Sequence, residues 1–207
     1  KTMMSSIAEK VIGKSKDGYL FRQGKIIQPK TKKEISFSDL VKECHNRKVY
    51  LYAFGTWQGP KVGWDEEKGQ GDAYFTYVYG CNAVELEVDA ATGKIKVLSS
   101  IGAHDVGRAI NPQMLKGQIF GGMIMGMGQA LSEEIIHKDG KIQNLNFNTY
   151  RITRSIDVPE MKALIIENPD PAGPLGAKSI GEPVNELMAG AIANAVFNAT
   201  GVRVKRL

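Results

Sequence analysis

The carboxylate best placed to do chemistry is Glu182, which closes the run Gly176-Ala177-Lys178-Ser179-Ile180-Gly181-Glu182-Pro183. Gly176 and Gly181 permit close approach of a ligand or an unusual backbone conformation. Pro183 suits the first turn of a helix, where its missing N–H costs nothing, so Glu182 is fixed at a helix mouth. A helix N-terminus favours an ionised carboxylate by about 0.3–1 kcal/mol, and burial in a dry pocket opposes it. Together these effects suit a general base. Spacing alone favours a plainer reading, in which Glu182 caps its helix.

The second segment of interest runs from Gly117 to Leu131, GQIFGGMIMGMGQAL. Gly117 and Gly121, and likewise Gly122 and Gly126, are four apart and therefore form rows of small residues on a helix face. A glycine costs a helix roughly 1 kcal/mol relative to alanine, so five of them need a reason. Either a flat ligand or another helix must come close. No Gly-Lys-Ser/Thr follows, which excludes a nucleotide P-loop. His45, His104 and His137 have no metal-ligand spacing, and no Ser-His-Asp set is suggested. His104 and Asp105 are expected to orient the turn into the long helix.

These residues need a frame. Val184, Leu187, Met188, Ala191, Ile192, Ala195 and Val196 repeat at helical spacing, with Gly201 where a C-terminal cap belongs. Asn111-Pro112 starts another helix, expected to reach about Ile135. Ala83 to Val88 and Lys94 to Leu98 alternate around Asp89-Ala90-Ala91-Thr92-Gly93, which predicts a hairpin. The aromatic run Tyr74 to Tyr79 also predicts a strand, and further strands are expected around Tyr19 to Gln28 and from Ala163 to Glu167. A hairpin is expected at Asp139-Gly140. Residues Thr2 to Val11 predict a helix, and Ser36 with Asp39 marks the start of another. Pro60 to Asp72 reads as a loop between a small subdomain, 1–60, and a larger one, 61–207.

The 207 residues suffice for buried cores, and 43% apolar with 24% charged content fits a globular protein. A net charge of +5 without a long basic run gives little support for nucleic-acid binding, and Arg203, Lys205 and Arg206 read as a solvated tail. Two distant cysteines, Cys44 and Cys81, can build neither a zinc site nor an iron–sulfur cluster. Their use fits a reducing, cytoplasmic setting. Lys1-Thr2-Met3-Met4 is no signal-peptide opening, and the longest apolar run, Ile119 to Leu131, is too short and glycine-broken to span a bilayer.

The Gly176 to Glu182 run resembles the Gly-Ala-Lys-Gly-Val-Gly-Glu signature of the molybdenum hydroxylases, the family of xanthine dehydrogenases, aldehyde oxidoreductases and aroyl-CoA reductases. Ser179 and Ile180 replace the commoner Gly and Val. The likeness extends over His104-Asp105-Val106-Gly107, Asn111-Pro112, Gly117-Gln118 and Gly121-Gly122. It also takes in Gly69-Gln70-Gly71, Val84 to Asp89 with Thr92-Gly93, and Asn148-Thr149-Tyr150-Arg151-Ile152. It thus covers most of the chain from about Gly69 onward. Thr153 departs from it, because the family commonly has Pro there.

The resemblance implies an α+β fold of mixed, largely antiparallel sheets packed with helices. It implies molybdenum–molybdopterin as cofactor, with the cytosine dinucleotide form as one version. Glu182 would be the general base and Gln118 a hydrogen-bond partner of the pterin. Gly117, Gly121, Gly122, Ala177, Lys178, Ser179 and Gly181 would line the cofactor, and no residue of this chain would ligate the metal directly. The expected reaction is hydroxylation of an aromatic N-heterocycle such as a purine, with water as the oxygen source. Aldehydes and aroyl-CoA thioesters belong to the same family. Iron–sulfur clusters and FAD are expected on partner subunits or further domains, within an oligomer. The family's Gly-rich cofactor segments lie well N-terminal to anything present here, so the chain is expected to be the C-terminal piece of a longer subunit, inactive in isolation. The competing expectation is a noncatalytic scaffold of the same fold that binds no molybdenum.

Overall fold

The computed structural model describes residues 2–207, and the chain divides into two units, Lys1–Thr56 and Trp57–Leu207. In the first, α1 (Thr2–Ile12) and α2 (Phe37–Asn46) pack with a three-stranded antiparallel sheet, β1 (Leu20–Arg22), β2 (Lys25–Ile27) and β3 (Glu34–Ser36). Ile7, Ala8, Ile12, Ile26, Leu40 and Cys44 form its core. The Ser36 hydroxyl accepts from the Asp39 N–H at 3.0 Å, satisfying a donor that the first helical turn leaves free.

The second unit opens with a departure from the sequence pattern. The glycine- and charge-rich segment expected as a loop folds into a short hairpin, β4 (Gly63–Asp65) with β5 (Gln70–Asp72). The Asp65 carboxylate accepts from the N–H groups of Glu67 and Lys68, both at 3.1 Å, and so closes the turn. The aromatic run from Tyr74 to Tyr79 is not a strand. Its tyrosines are exposed, and among the described residues its backbone is paired only at Tyr79, whose carbonyl accepts from the Asp105 N–H at 2.8 Å, so strand propensity makes no ladder.

The main sheet has the order β10-β7-β6. β6 (Gly80–Val88) and β7 (Ile95–Asp105) form the expected hairpin, with the Asp89 carboxylate bonded to the Ala91 N–H and the Thr92 hydroxyl and with Gly93 at φ 73°. Glu85 pairs with Ser99 but Leu86 with Val97, so Leu98 is an extra residue on β7. The bulge changes which residues face inward: Val97 before it, then Ser100, Gly102 and His104. β10 (Glu160–Ile166) runs parallel to β7, and α3 (Pro112–Leu131) lies in the crossover between them. α3 ends at Leu131 and not near Ile135. The Asn144 side chain takes up the Ile136 N–H and the Glu134 carbonyl, and Tyr150 donates to the Glu133 carboxylate, which holds that stretch outside a helix. A small hairpin, β8 (His137–Lys138) and β9 (Lys141–Ile142), turns at Asp139 and Gly140, both at positive φ. Last comes α4 (Pro183–Thr200), closed by Gly201 in the left-handed region, whose N–H reaches the Phe197 carbonyl at 2.8 Å.

α3 and α4 pack against each other and on one face of the sheet, with Ile119, Met123, Met127, Val184, Met188 and Ile192 at the centre. One glycine row makes this possible. A Cβ on Gly122 would stand 2.7 Å from Val184 Cβ, and one on Gly126 would stand 2.6 Å from both the Asn185 carbonyl oxygen and Met188 Cβ. Gly122 meets Val184 and Gly126 meets Met188, so the two helices run in the same direction. The other row, Gly117 and Gly121, faces open space.

A polar link ties the sheet to α4. The Asn82 amide nitrogen donates to the Val184 carbonyl at 3.3 Å, so its oxygen accepts from His104 Nε2 at 3.2 Å. His104 Nδ1 then carries a lone pair, with no hydrogen-bond partner among the described residues, and lies against the Gly80 backbone. Burial pushes the imidazole pKa down and keeps it neutral.

Gly126→Val should therefore destabilise the chain by about 1–3 kcal/mol through overpacking. Gly190→Ala on the open face of α4 should stabilise it by roughly 0.5–1 kcal/mol through helix propensity. Denaturant unfolding of the two variants reads both signs. Because the folded pKa of His104 lies below the unfolded one, the stability tied to its neutral form is complete above the ordinary value near ~6.5 and is lost as pH falls toward the folded value. Thermal unfolding across this range should show a steeper fall for the wild type than for His104→Gln.

Candidate active site at the start of the last helix

Because α3 and α4 run in the same direction and Gly122, ten residues past Pro112, meets Val184 in the first turn of α4, that helix begins beside the middle of α3. Asn111 caps α3 through its side-chain oxygen, which accepts from the Met114 N–H at 3.1 Å, and Pro112 occupies the first turn. The two preceding loops are zipped together: Gly107 bridges Ala177, the Arg108 N–H reaches the Gly176 carbonyl at 2.8 Å, and the Lys178 N–H reaches the Val106 carbonyl at 2.9 Å. Gly107 has to be glycine. Its φ is +64°, and a Cβ there would stand 2.3 Å from the Gly176 oxygen.

Glu182 is the residue before the first turn of α4, and its side chain makes no capping hydrogen bond. Only its carbonyl serves the helix, accepting from the Asn185 N–H at 2.9 Å. Its side chain is exposed between the buried anchors Ile180 and Val184. Gly181 opens onto free space, Ser179 is exposed and Ala177 is half-buried. On α3, Gln118 is exposed and makes no hydrogen bond among the described residues, with Gly117 and Gly121 open beside it.

Two of the residues expected to line a cofactor have their reach taken up within the chain. Gly122 lies under Val184, so the space in front of it belongs to α4. The Lys178 ammonium is bonded to Asp105 Oδ2 at 2.6 Å, with both side chains almost buried, at 5% and 8% exposure. Asp105 Oδ1 accepts from the Gly107 N–H at 2.9 Å. Burial pushes the Asp105 carboxyl up, but the Lys178 and Gly107 hydrogen bonds, the Lys178 charge and a hydrogen bond from Asn168 outweigh it, and the net shift is downward.

The Asp105–Lys178 pair was not read from the sequence. Each residue stands within two positions of a glycine that lets the loops touch, Gly107 for one and Gly176 for the other, and that shared pattern is the available signal. His104 points to Asn82 and not to its neighbour Asp105, as alternation along β7 requires. A concavity of about 1440 Å³, lined in part by Met127, Leu131, Arg151 and Ile156, lies at the C-terminal end of α3 and includes none of the site residues. Cys44 and Cys81 are free thiols, the first buried and the second exposed.

Comparison with known proteins bears on this arrangement. The family model of the molybdopterin cofactor-binding domain matches residues 1–159, which include α3 but not Glu182. The xanthine dehydrogenase molybdenum-binding subunit of Escherichia coli O157:H7 is 40% identical over 131 residues, 62% of this chain and 17% of that one. The aldehyde oxidoreductase molybdenum-binding subunit PaoC of Escherichia coli (strain K12) is 38% identical over 125 residues, 59% of this chain and 17% of that one. The crystal structure of the aldehyde oxidoreductase from Desulfovibrio desulfuricans superposes with a TM-score of 0.67 at 32% identity, covering 80% of this chain and 18% of that one. The chain thus spans less than a fifth of the length of these relatives. From the α+β fold, the matched domain and these likenesses, the chain belongs to the molybdopterin cofactor-binding domain family of the molybdenum hydroxylases.

Proposed function

We propose that this chain supplies the general base and part of the cofactor cradle of a molybdenum hydroxylase acting on an aromatic N-heterocycle such as a purine. The observation that carries the reading is Glu182: an exposed carboxylate fixed at a helix mouth, without the capping bond that would explain it otherwise.

The residues around it fit molybdopterin, a flat heterocycle with hydrogen-bonding edges. Gln118 offers a free carboxamide, with a donor and an acceptor, on the open face of α3. Gly117 and Gly121 leave the space beside it clear, so a flat group can approach the helix backbone. Ala177, Ser179 and Gly181 would line the same group from the loop. Lys178 and Gly122 would act from beneath, by fixing the loop and the helix pair. Bound there, the cofactor would supply the two-electron redox chemistry of the hydroxylation.

Glu182 has one task in this scheme. Its carboxylate oxygen accepts a proton from the water that provides the new oxygen atom. The overall conversion, RH + H2O to ROH, releases two electrons and two protons. The electrons would leave through iron–sulfur clusters and FAD on partner subunits, since two separate cysteines cannot hold a cluster. A longer subunit would cover the exposed apolar residues Met114 and Met125 on α3 and Ile110 just before it. Among the described residues no helix is long and apolar enough to cross a membrane, and with two free thiols the reading is of a cytoplasmic enzyme. The xanthine dehydrogenase name of one relative supports a purine substrate, and the aldehyde oxidoreductase name of another supports an aldehyde.

In the complete enzyme, Glu182→Gln should lower kcat by about 100-fold to 10,000-fold, the usual contribution of a positioned base, with molybdenum and pterin contents unchanged. Wild-type turnover in this variant would remove the base from Glu182. A wild-type complex without molybdenum or pterin would favour the noncatalytic scaffold instead. Steady-state turnover of hypoxanthine against an aromatic aldehyde decides the substrate class.

A further inference from the structure

We infer that the buried Asp105–Lys178 pair is the positioning device for Glu182, an inference that rests on the reading of Glu182 as the base. Lys178 precedes Glu182 by four residues, and its ammonium reaches across to the end of β7, where Asp105 holds it at 2.6 Å. The same carboxylate bonds the Gly107 N–H, so one side chain fixes both loops. The backbone bonds from Lys178 to Val106 and from Arg108 to Gly176 complete the clasp. On the other side Ile180 and Val184 are buried in the core, which leaves Glu182 little freedom to move as a unit with its loop.

Stability alone gives a weak reason for such a pair. A buried ion pair roughly repays its own desolvation, and an apolar pair of similar volume often serves as well. What charge adds is direction. Among the described residues Asp105 is the only carboxylate within ion-pair distance of Lys178, so the loop has one register against the β7–α3 turn. That turn leads into α3, which carries Gln118, so the pair also sets the base relative to the open face of that helix. Misplacement of a catalytic group by about 1 Å can cost on the order of 100-fold in rate. Lys178 and Asp105 are thus positioning residues, acting through Glu182.

The test is made in the complete enzyme with Lys178→Met, alone and combined with Glu182→Gln. The expected result is a fall in kcat of roughly 100-fold with KM near wild type, unchanged molybdenum and pterin contents, and no further loss in the Glu182→Gln background. Amide hydrogen exchange should quicken in the peptide from Gly176 to Glu182 while the rest of the chain keeps its protection. Equal losses in both backgrounds, unchanged exchange of that peptide, or loss of molybdenum or pterin would each overturn the inference. If Lys178→Met does not assemble, Asp105→Ala/Lys178→Met removes both charges, leaves no unpaired ion, and should show the same pattern. Wild-type behaviour of the double variant also overturns it. The two readings fail separately: wild-type turnover in Glu182→Gln removes the base itself, whereas a crippled Glu182→Gln with additive losses from Lys178→Met removes only the positioning role.

Discussion

The close approach of α3 and α4 is the constraint on which the rest of the second unit depends. It is possible because Gly122 and Gly126 present no side chain to Val184, Asn185 and Met188. Helices that touch backbone to side chain have little freedom to slide, and interiors packed at crystal-like density transmit a shift in one directly to the other. The first turn of α4 is therefore set beside the middle of α3, where Gly122 meets Val184. The level at which α4 starts along α3 follows from two hydrogen atoms where side chains would otherwise stand.

The polar groups at the interface between sheet and helices are used sparingly. Asn82 serves both layers at once, donating to the first turn of α4 and accepting from the imidazole of β7. Asp105 likewise serves two loops. Buried polar groups cost free energy unless their partners are fixed, so such sharing confines each loop to one geometry. The side chains of Glu182 and Gln118, by contrast, are exposed and have no hydrogen-bond partner among the described residues.

Much of this was legible in the sequence because its causes are local. The start of α2 at Ser36, the start of α3 at Asn111-Pro112, the β6–β7 turn at Asp89 and the cap at Gly201 each depend on residues within a few positions of one another. What was not legible depends on distant partners. Tyr74 to Tyr79 has strand propensity but, before Tyr79, no backbone partner among the described residues, and α3 stops short because Asn144 and Tyr150 claim the groups that would extend it. The hairpin at Asp65 was hidden by the glycines and charges around it, which also describe a loop. Of the two glycine rows visible on α3, the packing of α4 takes up the one with Gly122 and Gly126, and the other faces open space. The salt bridge between Asp105 and Lys178 joins residues 73 positions apart, beyond anything local spacing can express.

The extra residue in β7 has a reach well past its own position. Side chains alternate along a strand, so an extra residue would reverse the facing of everything after it unless a bulge absorbs it. By taking Leu98 out of the count, the bulge decides well before the strand's end that the imidazole there turns toward the helices and the carboxylate toward the loop of Glu182. Were Leu98 counted into a regular ladder the two would exchange duties: an acid would be enclosed among Asn82 and the helix core, and a neutral ring would meet the ammonium of Lys178. The parity of a strand, set far from any reacting atom, is what delivers the correct charge to the clasp.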